Sequence, residues 1–405
     1  MTALDAELRK ELQGMREAGT LKRMLVLTSP QGPAVEVEGR GELLCLCSND
    51  YLGLANHPAV VAAAGEGLER YGAGTASVRF ICGKFEPHVE LERDLASFMS
   101  TDASLTYTSC WNANQALIDV LSDERAAILS DRLNHASIID GVRLGRPGSK
   151  AVYEHCDPED LDRQLAIVPQ DSRKLVITDG VFSMEGDLAP IPELLNVTER
   201  HRATLIVDDS HGLGVVGAEG RGVCEHFDCL GRDDVIVTGT IGKALGGAAG
   251  GFVAGSEALC SVLEQRSRAQ LFSNGLPPAV ACAARRALAE LRENPGLLQR
   301  LRDNTARFRH GIEEIGLRPL KGESAIVPVV VGETPLAIRF SQLLIDRGVY
   351  VTGFGYPVVP EGTARVRAQL SAALTDDQID RALDGFAQVA EELDLVTASA
   401  TNPDR

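Results

Sequence analysis

A chain of 405 residues that is 44% hydrophobic, with no long polar tract, can bury one large core or two modest ones, which makes it an ordinary globular protein. Its formal charge of −17 argues against a nucleic-acid partner or an anionic membrane, since either needs a basic face. Nine cysteines, an odd number without CxxC spacing, read as reduced thiols of a cytoplasmic protein and not as a disulfide or zinc framework, so no metal is expected.

Residues 3–18 place Leu4, Leu8, Leu12 and Met15 at three- and four-residue spacing, an amphipathic opening helix able to cap its own chain or pack on a second subunit. Asp5, Glu7, Arg9, Lys10 and Glu11 stand where an export signal would carry an apolar core, and no run is long enough to span a membrane. Strand-like runs at 34–37 and 43–46 complete an opening segment, 1–47, and the turn-rich SNDYLGLANHP follows. From residue 58 the chain alternates between helical patterns near 58–71, 88–99, 113–122, 136–144 and 191–200 and the short apolar runs ASLTY, AAILS, KLVIT, TLIVDD, DVIVTGT and FVAGS. Such alternation predicts an α/β domain over 48–280, built on a mostly parallel sheet that binds ligands at the carboxyl ends of its strands. Helical patterns at 280–293, 296–315, 335–347 and 376–393, with the runs AIVPVVVG, VYVTGF and ARVRAQLSA, predict a smaller C-terminal α+β domain over 281–395. The polar tail 396–405 reads as frayed.

The run TLIVDDSH, residues 204–211, ends a buried strand in two aspartates and a histidine, which puts polar groups at the ligand-binding edge of the sheet. A carboxylate there keeps a pyridinium nitrogen protonated, with Asp208 as the candidate and His211 three residues on near a ring hydroxyl; the plainer alternative is strand-end acids capping a helix. In TGTIGKALGGAAGG, Lys243 stands among small residues, as suits a Schiff-base amine with its pKa lowered by desolvation, with Thr240 near a phosphate. The P-loop pattern fails because Ala244 follows the lysine. In YTSCWNAN, between a strand and a helix, the amides of Ser109, Cys110 and Trp111 suit an anion, with Cys110 as a nucleophile the competing reading. His135 opens a helix after an apolar run, either stacked on a cofactor ring or as a buried structural histidine. Arg365 and Arg367 alternate in a strand and share a face, suited to a substrate carboxylate or to a solvated edge. Lys22, Arg23, Arg266 and Arg268 are basic positions available to an anionic ligand or, more simply, solvated.

The motifs NDYLGL, LNHASIIDG, TDGVFSMEGD, DDSHGLG and GTIGKALGG stand in an order and spacing in which the chain resembles the α-oxoamine synthases, over about residues 8–395. This is a pyridoxal phosphate (PLP) family of the PLP-dependent transferase fold type I. SVRFICG, QRSRAQLFSN and VTGFGYPVVP are similar to segments of members that act on glycine and acetyl-CoA. The resemblance implies a PLP-dependent acyltransferase that condenses an amino acid, glycine first, with an acyl thioester. It implies a homodimer with shared active sites. It further implies that Lys243 carries the cofactor, that Asp208 meets its ring nitrogen, that His135 stacks on the ring, and that His211 and Ser183 contact the ring hydroxyl. Ser109, Cys110, Trp111 and Thr240 fall on phosphate contacts, Ser273 on a further phosphate contact from the second subunit, and Asn49, Ser77 and Arg367 on substrate contacts.

Four positions depart from the pattern: Leu374 where histidine is usual, Gly355 and Trp111 where phenylalanine is usual, and Gly275 where serine is usual. The missing side chain at Gly355 leads to the expectation of room for a longer acyl group or a carrier-protein thioester, as in a biosynthetic member of the family. A PLP aldolase and a non-catalytic relative that keeps the fold are the readings from other classes.

Overall fold

The computed structural model describes residues 2–18, 21 and 24–396, so Lys22, Arg23 and the tail from 397 lie outside the described residues. The central sheet has seven strands, β1 (Ala103–Tyr107), β2 (Ala126–Asp131), β3 (Ser149–Tyr153), β4 (Arg173–Asp179), β5 (Thr204–Asp208), β6 (Val235–Thr240) and β7 (Gly251–Gly255), in the order β1-β7-β6-β5-β4-β2-β3. Only β7 runs against its neighbours; the pairs from β6 to β3 are parallel. Away from the edge strand β3, the sheet is buried on both faces because its strands are mostly apolar. Leu129, Val176, Leu205, Val207 and Val237 point into one core, and Ile128, Leu175, Ile177, Ile206 and Ile236 into the other.

The second core is closed by helix Cys110–Leu121 through Ala113, Leu117 and Ile118, and by helix Ala136–Gly145 through Ile138 and Val142. Gly251 lets the first of these helices sit directly on the sheet, since a Cβ there would lie 2.3 Å from the Cys110 nitrogen.

Each parallel connection returns the chain to the same edge. The segments Thr108–Cys110, Asp131–His135, Asp179–Ser183, Asp208–His211 and Thr240–Lys243 therefore leave the sheet side by side.

The runs at 34–37 and 43–46 form strands Ala34–Val37 and Gly41–Cys45, and the second pairs in parallel with Val349–Tyr350. The run VYVTGF breaks at Val351, and its second half, Thr352–Phe354, joins another sheet in which Ala364–Gln369 lies between it and Ile326–Gly332. Beyond short helical turns, the apolar pattern of the sequence omits β3 and the helices Pro158–Ala166 and Glu257–Arg266. β3 is an edge strand with mostly solvent-facing residues, so it has no apolar run to betray it. The opening helix, Ala3–Glu17, buries no residue in its own chain, and Leu4, Leu8, Leu12 and Met15 are all exposed. Among the described residues no helix is long and apolar enough to cross a membrane.

Candidate active site

Asp208 ends β5 and is nearly enclosed, 5% exposed. Its Oδ2 accepts a hydrogen bond from Asn114 Nδ2 at 2.6 Å and its Oδ1 one from the Ser210 amide at 3.0 Å. No basic side chain pairs with it among the described residues. A buried carboxylate held by neutral donors alone is arranged for a cationic partner that the chain does not provide.

Lys243 follows β6 in a loop closed by Thr240, whose hydroxyl donates to the Gly250 carbonyl at 3.0 Å and accepts from the Gly242 amide at 3.1 Å. Burial pushes the Lys243 amine below its ordinary value, and the charges of Asp208, Cys110 and Asp179 oppose the shift. No side chain among the described residues hydrogen-bonds or ion-pairs with it. A desolvated amine of this kind is a usable nucleophile and base.

Cys110, the first residue of its helix, has its Sγ 3.8 Å from both Asp208 oxygens. Burial, and then the Asp208 charge, push the thiol far above its ordinary value. It is therefore a neutral group and not the activated thiolate that a cysteine nucleophile requires. Ser109 caps the helix by accepting from the Asn112 amide at 3.2 Å. The amides of Cys110 and Trp111 stand in the first turn, where no i−4 carbonyl exists to take them.

His135 opens on the cleft and meets Trp111 edge-to-face, with ring centroids 5.9 Å apart. Its Nδ1 accepts from the Ser137 amide at 3.2 Å and lies 2.8 Å from the Ser137 hydroxyl. That hydroxyl is itself an acceptor for Asn114 Nδ2 at 2.9 Å. Asn114 thus holds Asp208 and the His135 tautomer with one amide, while its Oδ1 accepts from Thr238 Oγ1 at 2.7 Å. Desolvation holds His135 below its ordinary value, Asp208 opposing and Lys243 reinforcing. His211 is buried and pushed far down by that burial, with Lys243, Arg367 and His135 adding to it.

The two strand arginines have different fates. Arg365 is spent, with Nη1 on the Met184 carbonyl at 2.9 Å and 3.1 Å from Glu185 Oε1. Arg367 donates Nη1 to the Ser183 carbonyl at 2.7 Å and packs under the Phe354 ring, but it has no carboxylate partner among the described residues, and its buried Nε is unpaired.

Asn49 joins this edge through Gln369, whose Nε2 donates to Asn49 Oδ1. The electrostatic influence of Lys243, Asp208 and Arg367 reaches His135, His211 and Cys110 across the edge. Ser77 is half-buried and Ser273 exposed. They lie on neighbouring surface segments, where Gly275 abuts Arg79 beside the exposed Phe80, Ile81 and Phe272.

Asn114, Tyr51 and Gln369 were not picked out from the sequence. Asn114 falls one helical turn after Cys110, on the same face, and that spacing is the signal that could have found it.

The expected opening at Gly355 is absent: a Cβ there would lie 2.2 Å from Thr334 Oγ1 and 2.6 Å from Thr334 Cβ, so the threonine already occupies that space. Leu374 is buried in the main core.

The sequence matches the aminotransferase class I and II family over residues 42–386. It is 43% identical to the mitochondrial 2-amino-3-ketobutyrate coenzyme A ligase of Mus musculus, over 94% of this chain and 91% of the relative. It is also 43% identical to 8-amino-7-oxononanoate synthase of Thermoanaerobacter pseudethanolicus, over 96% of this chain and 98% of the relative. A serine palmitoyltransferase from S. paucimobilis, solved with PLP and myriocin bound, superposes with a TM-score of 0.91 at 30% identity, over 98% of this chain and all of that one.

The sheet and its polar edge are thus those of a PLP-dependent enzyme of fold type I. The chain belongs to the aminotransferase class I and II family and, within it, to the α-oxoamine synthases, which are acyltransferases. The edge fits the cofactor: an unpaired, desolvated lysine, an enclosed carboxylate without a cation, and open first-turn amides match an aldehyde, a pyridinium and a phosphate.

Proposed function

We propose that this enzyme joins glycine to acetyl-CoA, giving 2-amino-3-oxobutanoate and coenzyme A, and runs the same reaction in reverse. In this reading Lys243 carries the cofactor, Asp208 meets its ring nitrogen, and His135, His211 and Ser183 contact the ring and its hydroxyl. Ser109, Cys110, Trp111 and Thr240 hold its phosphate. When bound, PLP supplies the electron sink that makes a Cα proton removable.

Each remaining task falls to the chain. Arg367, a guanidinium without a carboxylate partner among the described residues and with its Nε unpaired, takes the substrate carboxylate, and Asn49 sits beside it through Gln369. The Lys243 amine, neutral at a lower pH than an ordinary lysine, removes the Cα proton. His135, held neutral with Nδ1 as an acceptor, has Nε2–H to offer the thioester carbonyl as it gains charge. Ser273 of a second subunit would complete the phosphate site and Ser77 the substrate site. The exposed Phe80, Ile81 and Phe272 beside them, and the uncovered apolar stripe of helix Ala3–Glu17, support a homodimer.

The observation that carries this reading is the pair of cations without carboxylates, Lys243 and Arg367, in a chain of net charge −17. One is placed for covalent chemistry and the other for a carboxylate. The test is thiol release and product mass with PLP and glycine, offered acetyl-CoA, longer acyl-CoAs and a carrier-protein thioester in parallel. Acetyl-CoA turnover that Lys243→Ala abolishes supports the proposal. Turnover of a longer or carrier-bound thioester alone would move the enzyme to the second reading, with which the 43% identity to 8-amino-7-oxononanoate synthase is equally compatible.

A further inference from the structure

We infer that Gln369 and Tyr51 form a directional hydrogen-bond chain from Arg367 to His211, which makes both of them positioning residues and fixes His211 as the tautomer protonated on Nε2. The direction follows from counting donors. A guanidinium has donors only, so Arg367 Nη2, 3.2 Å from Gln369 Oε1, obliges that atom to be the carbonyl oxygen. The other end of the Gln369 side chain is then the NH2 group, and it donates to Asn49 Oδ1 and, at 3.0 Å, to the Tyr51 hydroxyl. Tyr51 already accepts one hydrogen bond and must place its own proton elsewhere. Its remaining polar neighbour is His211 Nδ1 at 2.8 Å.

Both links are buried, Tyr51 at 0% and Gln369 at 1% exposure, so no solvent can take an orphaned proton or lone pair. If His211 carried its proton on Nδ1, Tyr51 would accept two bonds and leave its hydroxyl proton unpaired in the core. The burial and cationic surroundings of His211 keep it neutral, which leaves Nε2 as the protonated nitrogen. The same count sets Asn49: with Oδ1 engaged by Gln369, its amide NH2 is the end left to bind a ligand.

The outcome is a site whose groups are all oriented as donors, Arg367 and Asn49 at one end and His211 Nε2–H at the other, with Gln369 transmitting the sense of the chain. Such a set suits an anionic substrate group at the first end and an oxygen acceptor at the second. This inference rests on the reading above only in assigning Arg367 to a substrate carboxylate; the tautomer stands or falls without any substrate.

The test uses the full-length holoenzyme labelled with 15N-histidine, with the His211 signals assigned by their loss in His211→Gln. The ¹H–¹⁵N correlations are expected to show a bare Nδ1 and a protonated Nε2. Gln369→Glu keeps the side-chain shape but replaces the donor by a second acceptor, so Tyr51 turns its proton toward residue 369 and His211 moves its proton to Nδ1. A wild-type His211 protonated on Nδ1 would overturn the inference outright, even if the variant fails to fold. An Nε2–H tautomer that persists in folded Gln369→Glu would remove Gln369 and Tyr51 from the role. Acetyl-CoA turnover is not read in either arm, so failure here is separate from failure of the proposed reaction.

Discussion

Asn114→Ala removes the side chain that links Asp208 to His135 by way of Ser137. Its Nδ2 gives Asp208 a hydrogen bond of 2.6 Å and Ser137 one of 2.9 Å, and its Oδ1 takes one from Thr238. A hydrogen bond to an ionised group is worth about 1.5–3 kcal/mol, and about 1.4 kcal/mol is tenfold in an equilibrium constant. If the orientation of Asp208 is what the cofactor ring requires, PLP binding weakens by roughly 10- to 150-fold, read by titrating apoenzyme with PLP and following the cofactor band. Stability falls as well, because Thr238 Oγ1 loses its buried acceptor. Thr238→Val, which removes that bond without touching Asp208, separates the two effects: it lowers the melting temperature but keeps PLP affinity. Asn114→Asp, which brings a second carboxylate against Asp208, binds PLP more weakly than the alanine variant below the point where the pair shares a proton. PLP affinity within about twofold of wild type in folded Asn114→Ala would refute the argument that Asp208 is oriented through this amide.

Gly355→Ala is expected to destabilise by about 1–3 kcal/mol, since its Cβ meets Thr334 Cβ at 2.6 Å; Thr334→Gly should restore most of that in the double variant, whereas Thr334→Ala should not. His155 bridges Asp131 Oδ1 and Asp187 Oδ2, each at 3.0 Å; burial alone would lower it, but these bonds outweigh burial and raise it from 6.5 to about 12. A raised folded value means that its stabilisation is full below pH 6.5 and is lost as pH rises toward 12. The stability advantage of wild type over His155→Gln should therefore shrink by up to about 1.4 kcal/mol per pH unit above neutrality, as denaturant midpoints at a series of pH values would read. Arg79→Leu leaves the buried Glu92 carboxylate with Lys84 as its remaining cation, at a cost of about 3–5 kcal/mol; Arg79→Leu/Glu92→Leu should recover part of it in the same unfolding assay.

The fold was legible wherever burial imposed a pattern. The strands at 126–131, 173–179, 204–208 and 235–240 are mostly buried on both faces, so each carries a short apolar run, AIL, LVI, LIV or VIV. Ser149–Tyr153 closes the edge of the sheet with solvent on its outer side, and its residues carry no such constraint. The candidate site was legible where a polar group ends one of those runs, as at Asp208, or stands alone among glycines, as at Lys243; their roles there belong to the proposal. Gln369 and Tyr51 gave no such sign, because their partners lie 318 and 160 positions away in the chain and only the fold brings them together. Gly355 misled in the opposite way. An absent side chain suggested an empty volume, but its neighbour Thr334, 21 residues earlier, supplied the atoms to fill it.

The two aspartates that end β5 show how one strand separates two like groups. Side chains alternate across a sheet, so Asp208 turns toward helix Cys110–Leu121 and Asp209 toward the opposite face. There Asp209 is wholly buried among Gly180, Gly212 and Gly222, at each of which a Cβ would come within 2.6 Å of its carboxyl oxygens. Oδ2 accepts from the Val223 amide at 2.7 Å, whereas Oδ1 has no partner. Burial pushes this carboxyl up to about 7, against the Val223 bond and with the Asp208 charge adding to the shift. Asp209 therefore takes up a proton more readily than an ordinary carboxyl, whereas Asp208, on the other face, is held by donors from Asn114 and Ser210. Gly180, Gly212 and Gly222 thus close on the second carboxyl from behind, and the burial they impose is what raises it, so two like groups at one strand end are held in different surroundings on opposite faces.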